Sequence, residues 1–310
     1  MKVLVTGATG ILGGWLTQAL IRRGDKVACL VRDEVPDSNF VKLGLDRKVA
    51  TVRGSLESYG DVARAVNEYE TEVVYHLAAQ AIVTVGNRDP LSTFEANIKG
   101  SWNVLEVCRR HKPLQRLLFA SSDKAYGDLE TLPYTEDMPL RGSHPYDASK
   151  SCADLLAQSY LTTYKLPVAI VRCGNLYGGG DLNFNRIIPG TIESVLHRKA
   201  PVIRSDGTPL RDYLYVDDAV SAYLALADSE EVGAFNFGTE TPTAVIELVQ
   251  LILKLMKSSQ HPVVENKASN EIAQQWLSCA KARKQLGWKP KFDLNRGLAA
   301  TIAWYRKNYR

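Results

Sequence analysis

The 310-residue sequence has few of the residues that build disulfide scaffolds or metal centres. Its five cysteines and five histidines are scattered along the chain, and no two cysteines have C-x-x-C spacing. The cysteines therefore predict reduced thiols in a cytoplasmic protein, with neither disulfides nor a metal site. They are Cys29, Cys108, Cys152, Cys173 and Cys279.

An excess of one charge and long apolar runs are also missing. The formal net charge is only +4, and no long run of like charges occurs. Neither feature favours binding to nucleic acid or to a membrane surface. The first ten residues, MKVLVTGATG, hold only three consecutive apolar residues. That is too short for a signal peptide or a membrane span. From the charge and the apolar pattern together, we expect no nucleic-acid and no membrane partner.

Short apolar runs alternate with helical patterns through the first half of the chain. Continuous apolar strands separated by helices predict an α/β fold, a doubly wound parallel sheet covered on both faces. The predicted strands are 2–7, 26–31, 49–54, 72–78, 116–122 and 167–173. The predicted helices are 11–23, 59–69, 91–111 and 146–165, then 187–198, 214–227, 244–257 and 294–308.

The motif TGATGILGG lies between the first predicted strand and the first predicted helix. It has Gly7, Gly10 and Gly13 in G-x-x-G-x-x-G spacing. Glycine lets the backbone turn tightly and approach a pyrophosphate, while the helix N-terminus offers free N–H groups to the anion. At this junction the motif predicts dinucleotide binding, although a tight turn without a ligand is the alternative.

The end of the second strand bears on the choice of dinucleotide. There the sequence reads LVRDE, with Arg32 and Asp33 next to each other. Arg32 suits the extra phosphate of NADP, whereas Asp33 suits the ribose hydroxyls of NAD. We expect NAD or NADP and favour NADP because of Arg32; a solvated surface charge is the alternative for this arginine.

A second motif places Tyr146 and Lys150 four residues apart in a predicted helix. At that spacing the two side chains share one face of the helix. A nearby ammonium lowers the pKa of a phenol, so Tyr146 is a candidate for proton transfer near neutral pH.

Together these motifs resemble the extended short-chain dehydrogenase/reductase superfamily, specifically its NAD(P)-dependent nucleotide-sugar epimerases and dehydratases. The resemblance runs from end to end, and the likeness is greatest to CDP-glucose 4,6-dehydratases. The motifs, in order, are TGATGILGG, HLAAQ (76–80), NIKG (97–100), SSDKAYG (121–127), YDASK (146–150), RCGNLYGGG (172–180), RIIP (186–189), RDYLYVDD (211–218), NFG (236–238) and LGWKP (286–290).

The resemblance implies a Rossmann domain over 1–173 and a smaller C-terminal α+β substrate lobe over 174–310, with part of 212–238 returning to the Rossmann domain. It also implies a nucleotide-diphosphate sugar as substrate. Its implied cofactor-binding residues are Gly7, Gly10, Ile11, Leu12, Gly13, Arg32, Ser55, Leu56, Ala78, Tyr146 and Lys150. Ser55 stands where the family usually has an aspartate that contacts adenine, which puts that contact in doubt.

The resemblance further implies roles at the sugar. Ser122 would hydrogen-bond the sugar O4, Tyr146 would accept its proton, and Lys150 would hold the ribose and the charge of Tyr146. Asn97 would support the active-site helix. Substrate binding would fall to Gln80, Asn175, Arg186 and Arg211; separated arginines are plausible clamps for a diphosphate, and surface ion pairs are the alternative.

Asp123 and Lys124 follow Ser122 at the end of the fifth strand, where doubly wound folds place their chemistry. Dehydratases that this chain resembles carry an acid and a base there. We therefore predict a 4,6-dehydratase in which C4 is oxidised, water is eliminated across C5 and C6, and the hydride returns to C6. Asp123 would be the acid and Lys124 the base at C5.

Three alternatives remain open at this point. A 4-epimerase or 4-ketoreductase would use the same Ser122, Tyr146 and Lys150 and leave the acid–base pair idle. The pair could also be a solvated strand-end pair. A non-catalytic dinucleotide sensor is disfavoured because both Tyr146 and Lys150 are present.

A homodimer is expected from the resemblance only. The predicted helix 91–111 has an apolar stripe that is more typical of a core-facing helix than of an interface. The stripe consists of Leu91, Phe94, Ile98, Trp102 and Leu105.

Overall fold

The computed structural model of the protein describes residues 1–267 and 272–309. Its centre is a seven-stranded sheet with strand order β11-β6-β5-β4-β1-β2-β3, in which every neighbouring pair is parallel. The predicted doubly wound α/β fold is therefore confirmed. The described strands are β1 Lys2–Thr6, β2 Lys26–Val31, β3 Ala50–Arg53, β4 Val73–His76, β5 Arg116–Ala120, β6 Val168–Cys173, β7 Asn175–Tyr177, β8 Val202–Ile203, β9 Leu210–Arg211, β10 Tyr213–Tyr215, β11 Gly233–Phe237, β12 Thr243–Ala244, β13 Val263–Val264 and β14 Gln274–Gln275.

Helices cover both faces of the sheet. The described α-helices are α1 Ile11–Arg23, α2 Asn39–Lys42, α3 Tyr59–Glu68, α4 Val83–Arg88, α5 Pro90–Phe94, α6 Gly100–Arg110, α7 Pro145–Tyr164, α8 Ile187–Leu196, α9 Val216–Ala227, α10 Val245–Met256, α11 Ala280–Leu286 and α12 Leu294–Asn308. A π-helical turn, Glu95–Lys99, joins α5 to α6, and a 3-10 turn, Asp123–Tyr126, follows β5. Within the described residues, no helix has both the length and the apolar character needed to cross a bilayer.

The two core layers follow from the alternation of side chains along the strands. In β1, Val3 and Val5 pack with Leu16 of α1 and with α9 on one face of the sheet. Leu4 points to the other face and packs with α3, α6 and α7. Because both faces are buried, the strand reads as a continuous apolar run, which is why the sequence predicted it well.

The predicted helix 91–111 is divided into α5, the π-helical turn and α6. The π turn interrupts the regular spacing of the stripe, and exposed stripe residues lie on both sides of it. The expectation that the whole stripe is core is therefore wrong. Leu105 is fully buried, whereas Leu91, Phe94 and Trp102 are 68%, 36% and 45% exposed.

The sequence missed or misplaced several shorter features. The predicted strand 72–78 ends at His76, and 116–122 ends at Ala120, where the chain leaves the ladder to form the cleft wall. The predicted helix 214–227 begins with a strand, β10, before α9 starts at Val216. After this helix the chain returns to the sheet as β11, which pairs with β6.

A smaller lobe of short strands and helices lies over the carboxyl ends of the large sheet. Its pairs are β10 with β7, β9 with β12 and β14, and β13 with β8. Val249 and Leu253 of α10 form part of its own small apolar core with Ile203. This lobe brings Arg211 of β9 to the cleft above the sheet.

Candidate active site

A cleft of about 1460 Å³ lies between the carboxyl ends of the sheet strands and the smaller lobe. The structure brings nearly all of the predicted site residues into its wall. These are Gly7, Gly10, Ile11, Leu12, Gly13, Arg32, Leu56, Ala78, Gln80, Ser122, Asp123, Lys124, Tyr146, Lys150, Asn175, Arg186 and Arg211.

Ser55 does not line this cleft. Its backbone N–H donates to Asp61 Oδ2 at 3.0 Å, and its hydroxyl donates to the carboxylate of Glu57. Glu57, which sequence reasoning missed, does line the cleft. Leu56 and Glu57 line the cleft where Ser55 does not.

The glycine loop forms a tight cradle at the start of α1. Gly7 has φ +79°, and a Cβ there would lie 2.7 Å from the backbone nitrogen of Ala78. A Cβ on Gly13 would lie 2.0 Å from the Gly7 carbonyl oxygen. Gly10 precedes the helix in an extended conformation and offers no side-chain cap, so the first N–H groups of α1 remain for a ligand. This geometry fits a dinucleotide pyrophosphate.

Arg32 at the end of β2 makes ion pairs with two carboxylates. Its Nε lies 2.7 Å from Asp33 Oδ2, and its Nη1 lies 3.8 Å from Glu57 Oε1. The Arg32 side chain is 63% exposed, so these pairs add little to stability. Their consequence is local: two negative charges accompany the arginine at this end of the cleft.

Tyr146 and Lys150 lie on the first turns of α7, which begins at Pro145. Proline suits the first helical position because an N–H at that position would have no acceptor within the helix. Lys150 is buried, and its Nζ donates to the Ala120 carbonyl oxygen at 2.9 Å. This bond ties the active-site helix to the end of β5.

Asn97 of the π-helical turn holds the same helix from another side. Its Nδ2 donates to Ser149 Oγ at 2.9 Å and to the Gln80 carbonyl oxygen at 3.0 Å. Its Oδ1 accepts from the backbone N–H of Gln80 at 2.7 Å. Asn97 thus joins α7 to the loop after β4.

Burial dominates the protonation of both members of this motif. Burial raises the pKa of Tyr146 to about 12, although the charge of Arg186 and a hydrogen bond with Ser122 oppose the rise. Desolvation therefore outweighs the favourable charges at Tyr146, in the direction opposite to the effect expected of a nearby ammonium. Burial also lowers the pKa of Lys150 to about 8, and the charge of Asp154 opposes this.

Asp123 and Lys124 form the 3-10 turn that follows β5 and Ser122. Asp123 is only 2% exposed. Its Oδ1 accepts from Ser122 Oγ at 3.1 Å, and its buried Oδ2 has no hydrogen-bond partner among the described residues. Lys124 also lines the cleft, and its Nζ donates to Gln275 Oε1. The alternative of a solvated strand-end pair does not describe this arrangement.

Asp147 is a second carboxyl in the same wall that sequence reasoning missed. It is 6% exposed and lines the cleft beside Tyr146 and Lys124. Burial raises its pKa, and the charges of Lys124 and His144 oppose the rise. The available signal was its position next to the tyrosine in YDASK.

The predicted substrate residues Asn175, Arg186 and Arg211 also line the cleft. Arg186 precedes α8, and its Nη1 lies 3.2 Å from Asp181 Oδ2, with 38% of its side chain exposed. Arg211 is buried, and its Nη1 donates to the Leu210 carbonyl oxygen at 2.8 Å. The backbone N–H of Asn175 donates to the Asp212 carbonyl oxygen at 2.8 Å, which joins β7 to the segment that carries Arg211.

The cleft thus contains a glycine cradle, a buried tyrosine–lysine pair and a second ionisable pair. The model of the NAD dependent epimerase/dehydratase family matches residues 3–238. The chain belongs to this family. The resemblance to the extended short-chain dehydrogenase/reductase superfamily is thereby confirmed, and the protein is an NAD-dependent enzyme of the epimerase/dehydratase class.

Individual similar proteins include both activities. CDP-glucose 4,6-dehydratase of Salmonella typhimurium is 28% identical, with 98% of this chain and 90% of that protein covered. The structure of UDP-glucose 4-epimerase from Thermotoga maritima with UDP-glucose has a TM-score of 0.93 at 28% identity and covers 100% of both chains. That of dTDP-glucose 4,6-dehydratase from Bacillus anthracis in complex with NAD has a TM-score of 0.89 at 25% identity, covering 100% of this chain and 97% of the other.

Proposed function

We propose that this protein is a nucleotide-sugar 4,6-dehydratase acting on a CDP-glucose-like substrate. The observation that carries the proposal is the position of Asp123 and Lys124. Both lie in the cleft wall with Tyr146, and the charge of Asp123 is close enough to act on the tyrosine pKa. Inverting C4 requires no such pair, whereas eliminating water requires both an acid and a base.

NAD fits the cofactor end of the cleft. Gly7, Gly10 and the first turn of α1 would hold its pyrophosphate, and Lys150 would hold the nicotinamide ribose. When bound, NAD accepts a hydride from the sugar and returns it. We propose NAD rather than the NADP favoured by the sequence, because Asp33 and Glu57 already engage Arg32 and would repel a further phosphate.

Tyr146 would take the proton from the sugar O4, with Ser122 orienting that hydroxyl. A buried tyrosine resists ionisation, and its pKa of about 12 means that it needs help from neighbouring positive charge. Lys150, one helical turn away, would supply that charge and stabilise the phenolate that accepts the O4 proton. Its own pKa of about 8 keeps most of it protonated at neutral pH.

Lys124 would remove the proton at C5 and return it there when the hydride is delivered to C6, and Asp123 would protonate the departing C6 hydroxyl. The second oxygen of Asp123 has no hydrogen-bond partner among the described residues, so it is available for that transfer. Asn175, Arg186 and Arg211 would bind the diphosphate, and Gln80 would contact the sugar.

Mass spectrometry of products tests the proposal. We would incubate the protein with CDP-, dTDP-, UDP- and GDP-hexoses and look for a ketone that has lost one water, with no net change in NADH. The double variant Asp123→Ala/Lys124→Ala should lose that product and still bind NAD. Unchanged turnover in the double variant would contradict the assignment.

A 4-epimerase is the second candidate, supported by the structural similarity to the Thermotoga maritima enzyme. It would convert a sugar to a product of equal mass through Ser122, Tyr146 and Lys150. Separation of the product sugars by chromatography distinguishes it from a dehydratase.

We also propose a homodimer formed through α5, α6 and α7. These helices pack together and leave large apolar side chains exposed. In addition to Leu91 and Trp102, Leu155 and Tyr164 of α7 are 52% and 53% exposed. Exposed apolar side chains on helices that pack together are typical of an interface. Sedimentation should show a dimer that Trp102→Glu/Leu155→Glu converts to a monomer; a wild-type monomer would contradict this.

A further inference from the structure

Gln275 of β14 contacts both residues of the proposed acid–base pair, Asp123 and Lys124. Its side chain is fully buried. Its Oε1 accepts a hydrogen bond from Lys124 Nζ, and its Nε2 donates to the backbone carbonyl oxygen of Asp123 at 3.0 Å. One amide therefore holds both residues of the pair, one by its side chain and the other by its backbone.

An amide differs from a carboxylate at this position because it carries no charge. An amide oxygen accepts a hydrogen bond from either an ammonium or a neutral amine. A carboxylate would instead favour the ammonium and oppose its loss of a proton. Gln275 can thus orient the Lys124 amine without stabilising the protonated state that a base must leave.

The strand that carries Gln275 also contacts the substrate side of the cleft. In the pairing of β14 with β9, Gln275 is in register with Arg211. The backbone N–H of Leu210 donates to the Ala273 carbonyl oxygen at 2.9 Å. The amide of Gln275, which holds Lys124, therefore lies on the same short sheet as Arg211, which is proposed to bind the diphosphate.

We propose that Gln275 is a positioning residue that fixes the Lys124 amine in the cleft through a neutral acceptor and aligns it with the strand bearing Arg211. The proposal rests on the dehydratase function proposed above. Its sequence signal was weak, because 151 positions separate Gln275 from Lys124.

Other titratable groups surround Lys124 and must be distinguished from it. Asp123 lies on the same turn, and Asp147 and His144 approach from the start of α7. Arg211 lies on the neighbouring strand. A titration can be assigned to Lys124 only if it disappears in Lys124→Met.

The test uses Gln275→Glu and Gln275→Met in the NAD-loaded protein. Gln274→Glu and Gln274→Met are matched controls, because Gln274 lies on the same strand and is exposed. Two measurements are made: the NMR titration of Lys124 in protein labelled at lysine Cε, and the pH dependence of keto-sugar formation.

Gln275→Glu should raise the Lys124 pKa by about 1–3 units, as expected for an added opposite charge in contact. The rate at pH 7 should fall by roughly tenfold for each unit and recover as the pH increases. Gln275→Met should lower kcat at all pH values and leave KM unchanged. The two Gln274 variants should match the wild type.

Identical Lys124 titration in the wild type and in Gln275→Glu would overturn the inference, whichever products form. Loss of activity in Gln275→Glu without recovery at higher pH would also overturn it. Absence of any keto-sugar product from the wild type would instead overturn the proposed function, and the NMR titration would still decide the role of Gln275.

Discussion

The buried ion pair between Arg172 and Asp154 connects the sheet to the active-site helix, and its removal is a sharp test of the structure. Arg172 lies on β6 and Asp154 on α7, with side chains that are 2% and 0% exposed. Two parallel hydrogen bonds join them, Nε to Oδ2 at 2.8 Å and Nη2 to Oδ1 at 2.9 Å. Ser121 at the end of β5 donates to the same carboxylate at 2.5 Å.

Asp154→Ala leaves the guanidinium buried without its counter-charge. Breaking a buried pair by removing one partner typically lowers the free energy of unfolding by about 3–5 kcal/mol. We expect a loss in that range. Replacing both partners together, as in Asp154→Leu/Arg172→Met, should cost less than either single change, because no unpaired charge remains.

Urea unfolding followed by tryptophan fluorescence measures these differences. Glu70→Gln is the control, because it breaks the Lys2–Glu70 ion pair, whose side chains are 41% and 72% exposed. It should cause no measurable change. A loss below about 1 kcal/mol for Asp154→Ala, or a double variant no more stable than the single ones, would refute the reasoning.

Three further predictions concern the cleft. Gly7→Ala should weaken NAD binding at least tenfold by calorimetry, because its Cβ would lie 2.7 Å from the backbone of Ala78. The control Gly24→Ala also has positive φ, but its Cβ would have nothing within 4 Å, so it should bind NAD normally. Equal binding by both variants would contradict this. Burial holds the Lys150 pKa at about 8, below the ordinary 10.5, so the unfolded chain binds more protons between these values. Relative to Lys150→Met, the wild type should therefore gain about 2 kcal/mol of unfolding free energy between pH 7 and pH 10, and a constant difference in urea titrations would exclude the shift. Tyr146→Phe should lower kcat by roughly 100-fold or more, and a smaller loss would argue against its role in proton transfer.

Local pattern was enough to predict the sheet and the adjacent members of the site. The strands read as apolar runs because both faces of a parallel sheet are buried. The glycine loop, the Tyr146–Lys150 spacing and the Asp123–Lys124 pair are each formed by residues close together in the sequence, so local pattern alone reveals them. The π-helical turn at Glu95–Lys99 does not show in composition, nor does the exposure of three of the five stripe residues.

The amino-acid sequence by itself determined six of the seven strands of the large sheet, the glycine cradle and the reactive side chains that follow the fifth strand. Only the tertiary structure decided that Gln275 holds Lys124, that Glu57 rather than Ser55 lines the cleft, and that burial raises the Tyr146 pKa. The physical reason is that periodicity and turn chemistry act over a few residues. Desolvation and hydrogen bonds between distant strands depend on which segments the folded chain brings together.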